Sequence, residues 1–133
     1  MKKIFLLIFI FLHFHSASLA KNLKFSKIAS LDKPWGSSFI NNDEIIITEK
    51  SGKIKIVNIL NGNVAEIKYN LNFLEYGQGG LLDILYKDNF IYISYTENRG
   101  NWKTSTSIAK AKLNKKKLLF KNIFQANPPI DSG

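Results

Sequence analysis

The chain contains no cysteine, and its only two histidines, His13 and His15, lie close to the amino terminus. Without thiols there can be no disulfide stapling, no thiolate nucleophile and no cysteine-built zinc site. Proline is scarce, at three residues, two of them adjacent at Pro128-Pro129. Long apolar runs are scarce as well. One stands out, Ile4 to Leu12, and it is shorter than the ~20 apolar residues a membrane-spanning helix takes. It follows the basic pair Lys2-Lys3 and leads through a polar stretch to Ser18-Leu19-Ala20, small residues at the positions signal peptidase reads. Residues 1–20 therefore read as a signal peptide cleaved after Ala20. The mature chain is expected to begin at Lys21 and to carry no stable membrane span.

Cleavage removes both histidines. The chain from Lys21 to Gly133 then has neither imidazole nor thiol, which rules out Ser-His-Asp and Cys-His catalysis and the usual zinc ligand sets within it. Acid–base work would fall to its ten carboxylates, to lysine or to tyrosine. The charge is basic, 19 Lys+Arg against 10 Asp+Glu. A nucleic-acid binder gathers such charge on one face. Here lysines alternate with apolar residues, as in "KIKIV" and "AKAKL", the pattern of a solvated strand face. No nucleic-acid partner is expected. The one cluster, Lys115-Lys116-Lys117 behind Asn114, reads as a hairpin tip.

No part of the mature chain sustains a helical period. Short β-branched and aromatic runs alternate instead with turn residues. Strands are expected at Phe39-Ile40, Glu44 to Thr48, Lys53 to Val57 and Val64 to Tyr69. A second set follows at Leu81 to Tyr86, Phe90 to Thr96, Ile108 to Leu113 and Leu118 to Phe124, with Glu97 to Ser105 as a longer polar loop. The two sets are offset by about 45 residues, the spacing of propeller blades. The fold class is thus all-β, the first two four-stranded blades of a β-propeller. Propellers close with ~4–8 blades, so either the eight strands form a self-contained sandwich or the chain is the front of a longer protein. The closing segment, Pro128 to Gly133, reads as loop without a closing strand and favours the fragment.

Chemistry-bearing motifs are few. In "EYGQGGLLDILY" three glycines, Gly77, Gly79 and Gly80, surround Gln78 directly before an apolar strand. The dinucleotide fingerprint fails, because Leu82 takes the third glycine position and a strand follows where a helix is needed. The P-loop fails for want of Gly-Lys-Ser/Thr. Ser30 to Lys33 and Ser107 to Lys110 match Ser-x-x-Lys, but the pair must open a helix to serve as nucleophile and base. Lys33 precedes a proline and Ser107 opens a strand. Tyr92 and Tyr95 read as core or cross-strand residues. Trp102, in the polar loop, is a candidate ligand contact. Locally, Gln78 is open to two readings, a solvated β-turn or a ligand contact.

The ordered set "LDKPWGSSFI", "IIITEKSGKIKIV", "GQGGLLDIL", "IYISYTE" and "NIFQANPPIDSG" resembles the opening blades of the soluble quinoprotein sugar dehydrogenases, the glucose/sorbosone dehydrogenase family, nearest its aldose sugar dehydrogenase branch. The resemblance runs from Leu31 to Gly133. It implies a six-bladed propeller, periplasmic or secreted, that holds pyrroloquinoline quinone (PQQ) and calcium and oxidises an aldose at its anomeric carbon, passing electrons to an acceptor. The family's glutamine in this glycine loop lies against quinone and sugar, and Gln78 matches it; Gly77, Gly79 and Gly80 would let the backbone approach the planar cofactor. In the family, a segment like "PPIDSG" runs into a motif with the catalytic histidine and an arginine. This chain has no such motif. It is expected to hold no catalytic base and no metal ligand, and to be inactive by itself. The alternative is a non-catalytic exported propeller or sandwich that binds a ligand.

Overall fold

The computed structural model describes residues 24–132; the expected signal peptide lies outside them. Among the described residues every regular element is a strand. Four form an antiparallel meander: β1 (Pro34–Phe39), β2 (Glu44–Glu49), β3 (Lys53–Asn58) and β4 (Val64–Tyr69). A second meander follows: β5 (Leu81–Lys87), β6 (Phe90–Asn98) and β7 (Lys103–Lys112). The chain then returns to the first sheet, where β8 (Lys117–Leu118) pairs parallel to β4. It crosses back as β9 (Lys121–Gln125), antiparallel to the far half of β7, and ends in β10 (Ile130–Asp131) beside the near half.

The strand period of two decides which side chains meet. Registers Ile46↔Ile56 and Thr48↔Ile54↔Ile67 put one row on the inner face of the first sheet. Ile84↔Ile93↔Ala109 and Ile91↔Ala111 do the same in the second. These rows pack together with Leu81, Tyr95, Leu118 and Phe120 as one core. Ile46, Ile54 and Ile91 are fully buried, and each such isoleucine contributes about 2–3 kcal/mol.

The first strands of the two sheets meet most closely. A Cβ on Gly36 would stand 2.7 Å from the Asp83 Cα, so only glycine permits this approach. Hydrogen bonds tie the junction: the Thr48 hydroxyl donates to the Leu82 carbonyl (2.6 Å), and the Tyr86 N–H donates to Ser38 Oγ (3.0 Å). The architecture is that of two adjacent propeller blades, as expected, with differences of detail. The first strand, expected at Phe39-Ile40, instead runs Pro34–Phe39.

The polar loop from Glu97 to Ser105 is mostly strand, since β6 runs to Asn98 and β7 starts at Lys103. Ser105 and Ser107 are buried on the face of Ala109 and Ala111, and Thr104 is buried on the other, so these positions are hydroxylic and leave no apolar signal. The span from Leu118 to Phe124 is two strands in different sheets. Asn70 causes the break: its side chain accepts from Phe120 N–H (2.7 Å) and donates to Phe120 C=O (3.1 Å), holding that residue to the first sheet. The lysine cluster therefore tips a crossover rather than a hairpin, with Lys115 paired to Glu44 at 2.5 Å. Finally, the closing segment pairs as β10 instead of running free.

Candidate functional site

The glycine loop sits where four connections converge at one end of the sheets. The chain after β4 is laid along the end of β6: Leu74 N–H donates to Thr96 C=O (3.0 Å), Asn98 N–H to Asn72 C=O (3.0 Å), and Thr96 N–H to Gly80 C=O (2.9 Å). Phe73 pairs with Glu97 as an isolated bridge and leans its ring on Tyr69, centroids 6.3 Å apart. The loop is thus fixed at both ends.

Between those ends the chain makes a tight turn, with Gly79 N–H donating to Tyr76 C=O at 2.6 Å. Gly77 (φ 54°) and the exposed Gln78 form its tip. Gly80 has φ 146°, and a Cβ there would lie 2.5 Å from the Lys50 carbonyl. No other residue fits both constraints. Lys50, from the β2–β3 turn, donates its ammonium to the Gly77 carbonyl and lies 5.8 Å from the centre of the Trp35 ring. No local pattern marks Lys50, whose role depends on a contact 27 positions away.

Tyr76, Gln78 and Gly79 line a cleft of about 340 Å³ together with Ile130, Asp131 and Ser132. Leu82, Thr96, Thr104, Ser105 and Thr106 complete its lining. The arrangement offers an amide that both donates and accepts, a row of hydroxyls, one carboxylate and apolar surface. Such a surface suits a polar, partly planar ligand. Gly77 lies at the turn tip and Gly80 is buried beneath it, so neither lines the cleft. Among the described residues no group of three or more His, Asp or Glu stands ready to hold a metal.

Trp102 projects from the turn Arg99 to Trp102, which joins β6 and β7 and is closed by Lys103 N–H donating to Gly100 C=O (2.9 Å). It is 73% exposed and held at φ 57°, a conformation that costs a bulky residue about 1–2 kcal/mol. Ser132 fastens to it, both its N–H (2.8 Å) and its hydroxyl (2.6 Å) donating to Trp102 C=O. The two tyrosines part company. Tyr95 is buried in the core, its hydroxyl donating to Asn122 (2.7 Å), whereas Tyr92 lies half-buried on the outer face, with Lys110 5.1 Å from its ring centre. Ser107 is engaged by Glu97 at 2.6 Å and is no nucleophile.

A two-blade unit with a glycine turn at its loop end is part of a β-propeller. Residues 31–133 match the glucose/sorbosone dehydrogenase family, and the chain belongs to it. Over 112 residues it is 28% identical to the aldose sugar dehydrogenase YliI of Escherichia coli K12, covering 77% of this chain and 30% of that protein. It superposes on the soluble aldose sugar dehydrogenase of Escherichia coli in its apo form with a TM-score of 0.69, at 26% identity, over 77% of this chain and 32% of that one. The PQQ-bound aldose sugar dehydrogenase of Streptomyces coelicolor shares the fold with a TM-score of 0.67, at 19% identity, over 77% and 33%. The chain spans about a third of the length of these relatives.

Proposed function

We propose that the chain forms the first two blades of an exported, periplasmic quinoprotein that oxidises an aldose at its anomeric carbon. The observation that carries this is the anchored turn from Tyr76 to Gly79, which presents Gln78 to a cleft in a chain of the glucose/sorbosone dehydrogenase family.

The donor set fits one edge of PQQ. The Gln78 amide can donate to a quinone oxygen and accept from a sugar hydroxyl without adding charge. The threonine hydroxyls can follow with further bonds, and Gly79 lets the turn pack against Thr96, whose Oγ1 would lie 2.9 Å from a Cβ there. When bound, PQQ supplies the two-electron acceptor for the hydride of the sugar. This chain's part is to bind and orient: Lys50 holds the turn through Gly77, and the turn holds Gln78.

Among the described residues no group of three or more acidic side chains or histidines gathers to hold calcium. On this reading the metal, the histidine base and the contact to the electron acceptor belong to the parts of the longer relatives that this chain does not span. The chain alone binds cofactor weakly and does not turn over.

The test is titration of the chain with PQQ, followed through the absorbance of the quinone, with glucose and an electron-accepting dye added as a second readout. Binding should saturate, and Gln78→Ala should weaken it roughly tenfold, the equivalent of one well-placed hydrogen bond at about 1.4 kcal/mol. Equal affinity of variant and parent would leave Gln78 a turn residue. Failure of both to bind would favour the non-catalytic binding module.

A further inference from the structure

The basic charge is not spread evenly along the chain. Every ionised side chain between Asn98 and Ile130 is basic, and all ten carboxylates lie outside that span. Strand pairing then gathers lysines that the sequence spaces apart. Lys110 stands opposite Lys121 across β7 and β9, and Lys68 opposite Lys117 across β4 and β8. Lys112 follows Lys110 on the same face of β7. Lys112 and Lys117 line one cleft of about 410 Å³ with Leu113, Asn114 and Leu119. Lysines thus follow one another from the second sheet to the first. At the crossover, Asn114 Oδ1 accepts from Lys116 N–H (2.9 Å) and fixes the turn, while Lys115 is paired to Glu44. Of all these lysines only Lys115 enters an ion pair among the described residues.

Like charges set opposite one another across a ladder cost stability. Two such pairs, Lys68 with Lys117 and Lys110 with Lys121, become favourable only when an outside anion lies over them. Leu119, 61% exposed at the same cleft, adds aliphatic surface, and the lysine stems add more. Ammonium groups around an exposed leucine match the boundary of a bilayer, where lipid phosphates lie above acyl chains. A small soluble anion gains nothing from the leucine. Nucleic acid is held through stacking aromatics and arginine, and the cleft has neither.

We propose that the crossover from β7 to β8 is a docking surface for a membrane of anionic lipid. Lys112, Lys116 and Lys117 hold headgroup phosphates, Leu119 rests among the upper acyl carbons, and no segment spans the bilayer. The surface lies at the end of β7 away from Trp102, so a docked chain keeps the Gln78 turn open. The proposal goes beyond the sugar-oxidising reading and draws on neither quinone nor sugar.

The test uses the chain freed of residues 1–20, so that the apolar run Ile4 to Leu12 cannot bind lipid itself; every strand lies beyond it. It is sedimented with vesicles of phosphatidylcholine, alone or in equal parts with phosphatidylglycerol. Binding should need phosphatidylglycerol and should vanish at about 1 M salt, where the screening length falls to about 3 Å. A lysine near an anionic surface changes partitioning about fivefold. Lys112→Gln with Lys116→Gln and Lys117→Gln should therefore weaken binding about a hundredfold. Lys24→Gln with Lys53→Gln and Lys103→Gln removes the same charge elsewhere and should weaken it less than about fivefold. Arginine at positions 112, 116 and 117 should bind as the parent does, which separates lost charge from a damaged fold. Equal sedimentation with both vesicles, equal losses in the two glutamine sets, or failure of the arginine set overturns the proposal. So does a preference for a single-stranded oligonucleotide over the vesicles.

Discussion

At the scale of single residues, the buried Glu49 and the half-buried Glu97 show how carboxylates are held within the sheets. Glu49 is fully buried; burial pushes its carboxyl up, but Lys55 at 2.7 Å and the Asp32 N–H at 2.6 Å outweigh that and hold it below the usual range. Glu97 follows the same logic with neutral partners. Burial again pushes it up, and donors from Ser107 (2.6 Å), Gln125 (2.5 Å) and Asn122 (3.1 Å) bring it below the ordinary value. Its position is structural, since it fastens β6 to β7 and β9. A carboxylate whose folded value is depressed adds stability that is complete above its unfolded value, near 4.3, and lost as pH falls through the folded value. Glu97→Gln should therefore cost about 1.5–3 kcal/mol at pH 7, and the gap between variant and parent should close below pH ~4. Urea unfolding midpoints across that range measure it. A gap that stays constant with pH would mean that shape, not charge, is what Glu97 contributes.

Among elements, the most consequential is one of the two smallest. β8 is two residues long, yet it carries Leu118 into the core and sews the second blade to the first. Asn70 makes that stitch through Phe120, 50 positions away. Asn70→Ala should cost about 1–3 kcal/mol for the two bonds lost. The effect should be local, with faster hydrogen exchange over residues 117–120 and little change in β5 and β6. Exchange that rises evenly through both sheets would show that Asn70 supports the whole fold. The same element marks how far the sequence could be read. Alternating runs such as "KIKIV" and "FIYIS" declare strands because side chains on opposite faces differ in polarity. Leu118 and Phe120 are both inward, but a side-chain clamp splits their strand, and no periodicity encodes that. The Thr and Ser positions of β7 fail for a different reason, being buried and polar. At the site, the glycines announced a turn, and Gln78 stood out within it. Tyr76 was legible only as its neighbour. Thr96, Thr104 and Asp131 join the cleft through strand pairing, and Lys50 through a single long-range bond.

For the whole molecule, the two sheets are covered unequally. The outer face of the first sheet buries Ile47 and Val57, and the segment before β1 lies close by, its Ile28 carbonyl within 2.5 Å of where a Cβ on Gly62 would stand. On the second sheet the register sets Leu85 opposite Tyr92 and Ile108 opposite Phe124, all on the outer face. There Leu85 is 52% and Phe124 53% exposed. An apolar sheet face left open is a surface for association. In a propeller it is where the next blade packs, and the chain spans only about a third of the relatives it matches. Expressed by itself, the chain should therefore self-associate through this face at tens of micromolar, while the loop end, with Gln78 and Trp102, stays open. Light scattering should give a mass well above 15.2 kDa, and Leu85→Lys with Phe124→Lys should bring it down toward that value. Leu60→Lys serves as the control, because Leu60 is 75% exposed but sits in the turn between β3 and β4. It should change nothing. A parent chain that runs as a monomer, or a Leu60 change as effective as the pair, would place the contact elsewhere and leave the open face of the second sheet without a consequence.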